Sequence, residues 1–170
     1  MKNPAPVPLR ANRFADMRID QLNREERDTL VRLAIESLEI EFWRPRELLS
    51  KPSQVQTWLR LRLSGCRDEI FGMLFLNTRH YLIEKADLFR GTVDGASVHP
   101  RVVVRRALEL NAAAAIAYHN HPSGTPDPSA ADRHITQRLK SALALVDVRL
   151  LDHIVVSASG SVSMAEQGLM

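Results

Sequence analysis

Residues 119–132 read His119-Asn120-His121-Pro122-Ser123-Gly124-Thr125-Pro126-Asp127-Pro128-Ser129-Ala130-Ala131-Asp132. An apolar run precedes this stretch, and from Ser129 onward apolar residues recur at helical spacing. The stretch therefore predicts the end of a β-strand, a loop and the start of a helix. Similar strand and helix patterns alternate along the chain from about residue 69. That alternation predicts an α/β fold, an α/β sandwich with a mixed sheet.

The two histidines of this stretch are a candidate pair of metal ligands. Side chains alternate across a strand, so His119 and His121 can present both imidazoles on one face. Residues 122–128 contain three prolines and a glycine, which favour a turn back over the strand end and allow Asp132 to return to the histidines. Two imidazoles and one carboxylate leave a fourth tetrahedral position open, as in a catalytic zinc site. We expect water as the fourth ligand.

The same residues have a purely structural interpretation. Ser129-x-x-Asp132 is typical of a helix N-terminus, with serine as the N-cap and an acid in the first turn. Each histidine alone is more often a polar loop residue than a ligand. Capping and metal binding are compatible, however, because a cap serine and a first-turn aspartate are held rigidly, as a metal site requires.

This pattern resembles the metal-binding signature of the JAMM (MPN+) metalloproteases: His119-x-His121, then Ser129 and Asp132. Their signature also has a glutamate before an apolar strand that contains glycine, and Glu69 followed by residues 70–76 fits it. The surrounding sequence resembles the bacterial RadC-like branch over about residues 50–168. The resemblance is carried by Leu88-Phe89-Arg90-Gly91-Thr92, Ser97-Val98-His99-Pro100-Arg101, Leu110-Asn111-Ala112-Ala113-Ala114 and His119-Asn120-His121-Pro122-Ser123-Gly124.

The resemblance implies a fold and a chemistry. The implied fold is a mixed β-sheet sandwiched by helices, which is the MPN/JAMM architecture and is similar to that of cytidine deaminases. A short N-terminal helical segment precedes it. The chemistry is zinc-dependent hydrolysis of peptide or isopeptide bonds, with Zn²⁺ held by His119, His121 and Asp132. Glu69 would be the general base and Ser129 would donate a hydrogen bond to the oxyanion. Zinc would make hydroxide available at neutral pH and polarise the carbonyl.

The chain divides into three predicted regions. Residues 1–19 have no sustained periodicity and are expected to form a flexible arm. Residues 20–64 form a helical segment with helices at 24–42 and 53–64, and residues 65–170 form the RadC-like JAB/MPN metalloprotease domain. The helix-hairpin-helix DNA-binding repeats common in this family are not found, so the sequence resembles a short RadC-like form.

Within the last region the patterns predict each element. The predicted strands cover residues 69–77, 112–118, 149–157 and 161–165, and one or two further strands lie within 81–90. The predicted helices begin at residue 100 and cover 129–146. A loop is expected at 91–95, and a loop such as 91–97 could cover the metal site. One face of the residue-100 helix is predicted to carry Val103, Val104, Ala107, Leu108 and Asn111.

Other polar residues receive lesser roles. Asn120 alternates to the strand face opposite the ligands and is expected to be a structural hydrogen-bonder. Asp152 and His153 are adjacent in a strand, so their side chains face opposite ways and a shared metal role is disfavoured. His134 is expected to be solvated.

Composition limits the partners and the location. The chain of 170 residues carries 23 Lys and Arg against 20 Asp and Glu, and residues 1–68 hold the whole excess, 13 against 10. Arg60, Arg62 and Arg67 could contact an acidic partner or nucleic acid, although such an excess is usually a solvated face. No run of 18 apolar residues and no signal-like segment occur. The single cysteine, Cys66, cannot form an internal disulfide, which is consistent with a reducing compartment. We therefore expect a cytoplasmic protein without a membrane partner.

Three functions remain open. The first is a zinc hydrolase acting on a peptide or protein substrate. The second is a DNA-repair-associated nucleic-acid-binding protein or metal-dependent nuclease, although the contiguous His-Asn-His is not the dispersed HNH nuclease motif. The third is a non-catalytic zinc-stabilised interaction module, which would need neither Glu69 nor Ser129. The substrate and the oligomeric state do not follow from the sequence.

Overall fold

The computed structural model describes residues 17–42, 52–63, 65–91 and 98–170. A short 3₁₀ turn, Ile19–Gln21, precedes the main elements. The helices are α1 (Arg24–Phe42), α2 (Pro52–Leu63), α3 (Pro100–Glu109) and α4 (Ala130–Ala144), and the strands are β1 (Ile70–Leu76), β2 (Leu82–Arg90), β3 (Ala114–Asn120), β4 (Arg149–Val156) and β5 (Ser161–Ser163). Residues 1–16 of the predicted arm and 92–95 of the predicted loop lie outside the described residues.

The strands form one mixed sheet in the order β2-β1-β3-β4-β5. β3 and β4 are parallel and are joined by α4, whereas the other neighbouring strands are antiparallel. The predicted mixed α/β fold is confirmed, and β2 is a single strand. The predicted division of the chain at residues 19 and 64 stays a prediction.

Helices cover both faces of the sheet. On the first face, called here the α2 face, α2 packs on alternate residues of the central strands; its core contains Val55, Trp58, Leu59, Leu63, Ile70, Leu74, Leu76, Ala114, Ile116, Tyr118, Ile154 and Val156. On the second face, called the α4 face, α3 and α4 cover Phe71, Met73, Phe75, Val103, Ala107, Ala112, Ala115, Ala117, Leu139, Leu143, Val148 and Leu150. Every residue of β1 and β3 is buried, and for β1 this is what its continuous apolar run predicts.

Two predictions about α3 are wrong. Leu108 is 57% exposed, although it was expected beside the buried Val103 and Ala107. One residue adds ~100° of rotation, which carries Leu108 past the buried stripe. Asn111 is exposed because the helix ends at Glu109 and its own φ is 49°, so it has left the helical register.

Strand β3 begins and ends later than predicted, and α4 is shorter. β3 covers residues 114–120 instead of 112–118, so His119 and Asn120 are strand residues. α4 ends at Ala144, not at residue 146. α1 agrees with its predicted bounds. None of the helices in the described ranges is long and apolar enough to cross a membrane.

Candidate metal centre

The sheet brings the two histidines to the end of the central strand β3. Phe71 of β1 pairs with His119 in the antiparallel register, and Glu69 lies two residues before Phe71, just ahead of β1. On the other side, the backbone N–H of His121 donates to the carbonyl of Val156 at 2.8 Å. His121 is therefore fixed to β4 although it lies just beyond the end of its own strand.

The loop after the histidines turns back, as its prolines and glycine predict. Gly124 has a φ of 102°, a left-handed conformation that favours glycine. Its N–H donates to the carbonyl of His121 at 3.2 Å, and its own carbonyl accepts from the hydroxyl of Ser159 at 2.7 Å. This turn directs the chain to the start of α4 beside the strand end.

Helix α4 begins with a complete capping box, as the Ser129-x-x-Asp132 pattern predicts. The Ser129 Oγ accepts from the Asp132 N–H at 3.1 Å. In return, the Asp132 carboxylate accepts from the Ser129 N–H at 2.7 Å and from its hydroxyl at 2.6 Å. The cap therefore orients the Asp132 carboxylate toward the histidines.

The three predicted ligands meet at one point. The Nε2 atoms of His119 and His121 lie 2.8 Å apart, and the Asp132 carboxylate oxygens lie 3.2 Å and 3.3 Å from them. One ligand atom from each residue falls within a group no more than 4.8 Å across. The His119 side chain is only 1% exposed and that of Asp132 13%. The group is therefore a partly enclosed candidate metal site.

The electrostatics of the group favour a cation. Burial raises the pKa of Asp132, but hydrogen bonds from His119, His121 and Ser129 outweigh it, so this pKa lies well below its ordinary value. The hydrogen bond with Asp132 raises the pKa of His121 against the opposing effect of burial, and the charge of Glu69 adds to the rise. A carboxylate that stays ionised is the form that binds a metal.

The tautomer of His121 is fixed by its surroundings. Its Nδ1 lies 2.9 Å from the carbonyl oxygen of Thr125, and a carbonyl only accepts, so Nδ1 carries the hydrogen. In the neutral ring Nε2 is then a lone pair directed at the Asp132 carboxylate. This donor set of imidazole nitrogen and carboxylate oxygen is the one that zinc uses in tetrahedral sites.

Comparison with known proteins assigns the family. The sequence model of the RadC-like JAB domain matches residues 49–169. The chain belongs to this family. A UPF0758 protein of Vibrio cholerae serotype O1 is 58% identical over 122 residues, which are 72% of this chain and 77% of that protein.

Other relatives of this RadC-like JAB chain are longer. A UPF0758 protein of Nitrosococcus oceani is 55% identical over 124 residues, 73% of this chain and 55% of the relative. One of Halorhodospira halophila is 57% identical over 122 residues, 72% of this chain and 54% of the relative. The chain thus matches only about half the length of these two relatives.

The predicted catalytic residues of the RadC-like JAB domain lie beside the three ligands. Glu69 is half-buried at the start of β1, close enough for its charge to act on His121. The Ser129 hydroxyl points at Asp132 and donates its hydrogen there. Their roles as base and oxyanion donor stay predictions.

His153 is a buried partner of this site that the sequence reasoning missed. Asp152 and His153 do face opposite ways, as expected: Asp152 accepts from Ser163 and from the Ala165 N–H on the α2 face. His153 lies on the α4 face, is fully buried, and has its Nε2 2.8 Å from His119 Nδ1. Burial holds the pKa of His153 well below its ordinary value. Alternation along β4 gives the face of His153, but its contact with His119 follows only from the register with β3.

Asn120 has the structural role that the sequence predicted. Its side-chain oxygen accepts from the Ile70 N–H at 2.7 Å, and its amide nitrogen donates to the carbonyl of Asp68 at 3.1 Å. Asn120 thereby fastens the start of β1 to the end of β3. His134 is exposed, also as predicted.

Proposed function

We propose that this RadC-like JAB domain is a zinc-dependent hydrolase of peptide or isopeptide bonds. The observation that supports it most strongly is the convergence of His119 Nε2, His121 Nε2 and the Asp132 carboxylate on one point. When the two imidazole nitrogens are unprotonated, three electron-pair donors at these distances repel one another, and a bound cation would remove that repulsion. Two imidazoles and one carboxylate suit zinc and leave a fourth position for the reacting water.

The bound ion would supply Lewis-acid chemistry, lowering the pKa of a coordinated water to ~7 and polarising the scissile carbonyl. Glu69 is proposed to take the proton from the attacking water and to pass it to the leaving amine. Its half-buried state and the effect of its charge on His121 support that role.

Ser129 is proposed to change hydrogen-bond partner during the reaction. Its hydroxyl has one hydrogen, which the structure directs to Asp132. Rotation of the hydroxyl would release that hydrogen for a substrate oxyanion. Asp132 would keep the hydrogen bond from the Ser129 backbone N–H at 2.7 Å, so its orientation would survive the rotation.

The proposed partner is a peptide or protein chain rather than nucleic acid. Among the three arginines that could contact nucleic acid, Arg62 donates to Asp87 at 2.9 Å and lies over the ring of Trp58. Arg62 is therefore already engaged within the protein. The cytoplasmic location stays a prediction.

The test separates metal binding from turnover. Protein purified without chelator is analysed by inductively coupled plasma mass spectrometry, comparing wild type with His121→Ala, Asp132→Asn and Glu69→Gln. We expect about one zinc per chain in wild type and in Glu69→Gln, and a loss in the two ligand variants.

The same proteins are then assayed on fluorescence-quenched peptide libraries, on isopeptide-linked peptides and on single- and double-stranded DNA. Peptide or isopeptide cleavage in wild type and its loss in Glu69→Gln, which still carries zinc, are the expected results. A folded wild-type protein that takes up no zinc contradicts the proposal, and so does zinc-dependent cleavage of DNA alone.

A further inference from the structure

His153 and Thr136 form a buried hydrogen-bond chain behind the metal ligands. His153 Nε2 lies 2.8 Å from His119 Nδ1, and His153 Nδ1 lies 2.6 Å from the hydroxyl oxygen of Thr136. That hydroxyl also lies 2.6 Å from the backbone carbonyl of Asp132. The chain therefore starts at one proposed ligand, on β3, and ends at another, on α4.

The hydrogen-bond chain from His119 to Asp132 is closed off from water. His153 and Thr136 are 0% exposed and His119 is 1% exposed. The ring of Phe71 stacks on His119 with centroids 6.1 Å apart and meets the ring of His153 edge-on at 5.4 Å. A buried polar atom without a hydrogen-bond partner is costly, so each nitrogen and oxygen of this chain needs its partner within the protein.

Only one arrangement of hydrogens leaves His119 able to bind a metal through Nε2. The hydrogen of neutral His119 must then be on Nδ1, where its acceptor is His153 Nε2. His153 must in turn carry its hydrogen on Nδ1 and donate it to the Thr136 oxygen. The Thr136 hydroxyl is left to donate to the Asp132 carbonyl. Every donor then has an acceptor, and neither imidazole carries a charge.

We propose that His153 is a positioning residue that fixes the orientation and the tautomer of His119, with Thr136 as the anchor that fixes His153. His121 receives the same support from a backbone carbonyl, that of Thr125. A carbonyl can only accept, whereas an imidazole can accept or donate, so His119 depends on a second residue for what His121 receives from the backbone. This proposal rests on the proposed metal site.

The first test measures zinc affinity by competition with a chromophoric chelator. His153→Phe keeps the ring volume and removes the acceptor, and we expect affinity to fall by about 10- to 100-fold, the usual effect of losing a partner of a metal ligand. His153→Gln can place its amide oxygen near the former Nε2, so a loss of less than ~10-fold is expected. Thr136→Val removes the hydroxyl at nearly constant volume. Its loss of zinc affinity should lie between those of His153→Gln and His153→Phe.

Leu143→Ala is the matched control. Leu143 is fully buried in the same α4-face core, so its truncation destabilises the domain without removing a hydrogen bond of the chain. Circular dichroism establishes that each variant is folded. Zinc affinity should be nearly unchanged in Leu143→Ala. That result would distinguish the effect of breaking the hydrogen-bond chain from the effect of a general loss of packing.

The second test reads the tautomers directly, by long-range ¹H–¹⁵N NMR correlation on the zinc-loaded wild-type protein. We expect both His119 and His153 to carry their hydrogen on Nδ1. A hydrogen on Nε2 of His153 overturns the proposal, as does folded His153→Phe that binds zinc as tightly as wild type. Wild-type protein that binds no zinc instead overturns the proposed function, and this inference with it.

Discussion

The two faces of strand β3 use neighbouring residues for opposite purposes. Tyr118 and Asn120 point to the α2 face, where the Tyr118 hydroxyl donates to Asp87 at 2.6 Å and Asn120 bonds the backbone of β1. His119 points to the α4 face, where its Nε2 meets a second imidazole nitrogen and a carboxylate oxygen. All three side chains are no more than 2% exposed.

The difference lies in what satisfies the polar atoms. On the α2 face each of these polar groups is matched by a protein partner of the opposite kind, so the arrangement is complete by itself. On the α4 face two imidazole nitrogens and a carboxylate converge, a donor set that could hold a metal ion. Burial is the same on both faces, so burial alone does not mark the functional residues. Substitutions on the α2 face should therefore lower stability and leave zinc affinity nearly unchanged.

The largest effect on the α2 face is expected from Gly72→Ala. A Cβ at Gly72 would lie 2.2 Å from Cζ of Tyr118 and 2.3 Å from its hydroxyl oxygen, and the bond to Asp87 holds that ring in place. Overpacking a close-packed core usually costs up to ~3 kcal/mol, and we expect a loss of about that size in urea unfolding. The cost should shrink in a Tyr118→Leu background. An equal cost in both backgrounds would show that the ring is not the obstacle.

Asn120→Ala should have the next largest effect, about 2 kcal/mol. It leaves the Ile70 N–H and the Asp68 carbonyl without their side-chain partner. Urea unfolding measures the loss, and chelator competition should give a zinc affinity close to that of wild type. Asn120→Asp keeps the acceptor for Ile70 but replaces the donor to Asp68 with a buried carboxylate oxygen, so it should lower stability at least as much. A loss of zinc without a loss of stability would contradict the separation of the two faces.

Tyr118→Phe should cost about 1.5 kcal/mol. The change removes a partly buried hydrogen bond to the carboxylate of Asp87 and little volume. Asp87 retains Arg62 at 2.9 Å, which limits the loss. Tyr81→Phe, in the half-buried stretch before β2, is the control and should be nearly neutral in urea unfolding. Equal effects of the two substitutions would remove the special role of the Tyr118 hydroxyl.

Ser129→Ala tests the α4 face and should cost about 1 kcal/mol. It removes the cap acceptor for the Asp132 N–H and a donor to the Asp132 carboxylate. Unlike the α2-face variants, it should also weaken zinc binding, because it loosens a proposed ligand. Ser141→Ala, an exposed serine in the same helix, should change neither urea unfolding nor zinc affinity. Unchanged stability and zinc affinity in Ser129→Ala would show that the cap does not hold the proposed ligand Asp132 in place.

The sequence predicted those parts of the molecule that depend on neighbouring residues. The capping box of α4, the turn at Gly124 and the shared face of His119 and His121 all follow from local spacing. The contact between His119 and His153 could not be predicted in this way, because it depends on the parallel register of β3 and β4, which shifts between Ala115 and Ile116. The close approach of Gly72 to Tyr118 likewise needs the register of β1.

The smallest expected effect is a dependence of α2-face stability on acidity. Burial raises the pKa of Asp87, but hydrogen bonds from Tyr118 and Arg62 and the charge of Lys85 outweigh it, so the pKa is lowered. A carboxyl with a lowered pKa in the folded state stabilises it above the unfolded pKa, 3.8, and this contribution is lost as pH falls through the folded value. The side chain is 34% exposed, so solvent screening keeps the effect modest.

Asp87→Asn measures that dependence directly. The difference in unfolding free energy between wild type and the variant, taken from urea titrations at several pH values, should be constant near neutrality. It should shrink as the pH falls below about 4, where Asp87 in the unfolded wild-type chain begins to take up a proton. A constant difference down to about pH 2 would mean that the Asp87 charge contributes nothing. Zinc affinity at neutral pH should match wild type, because Asp87 acts on the opposite face of the sheet from the three ligands.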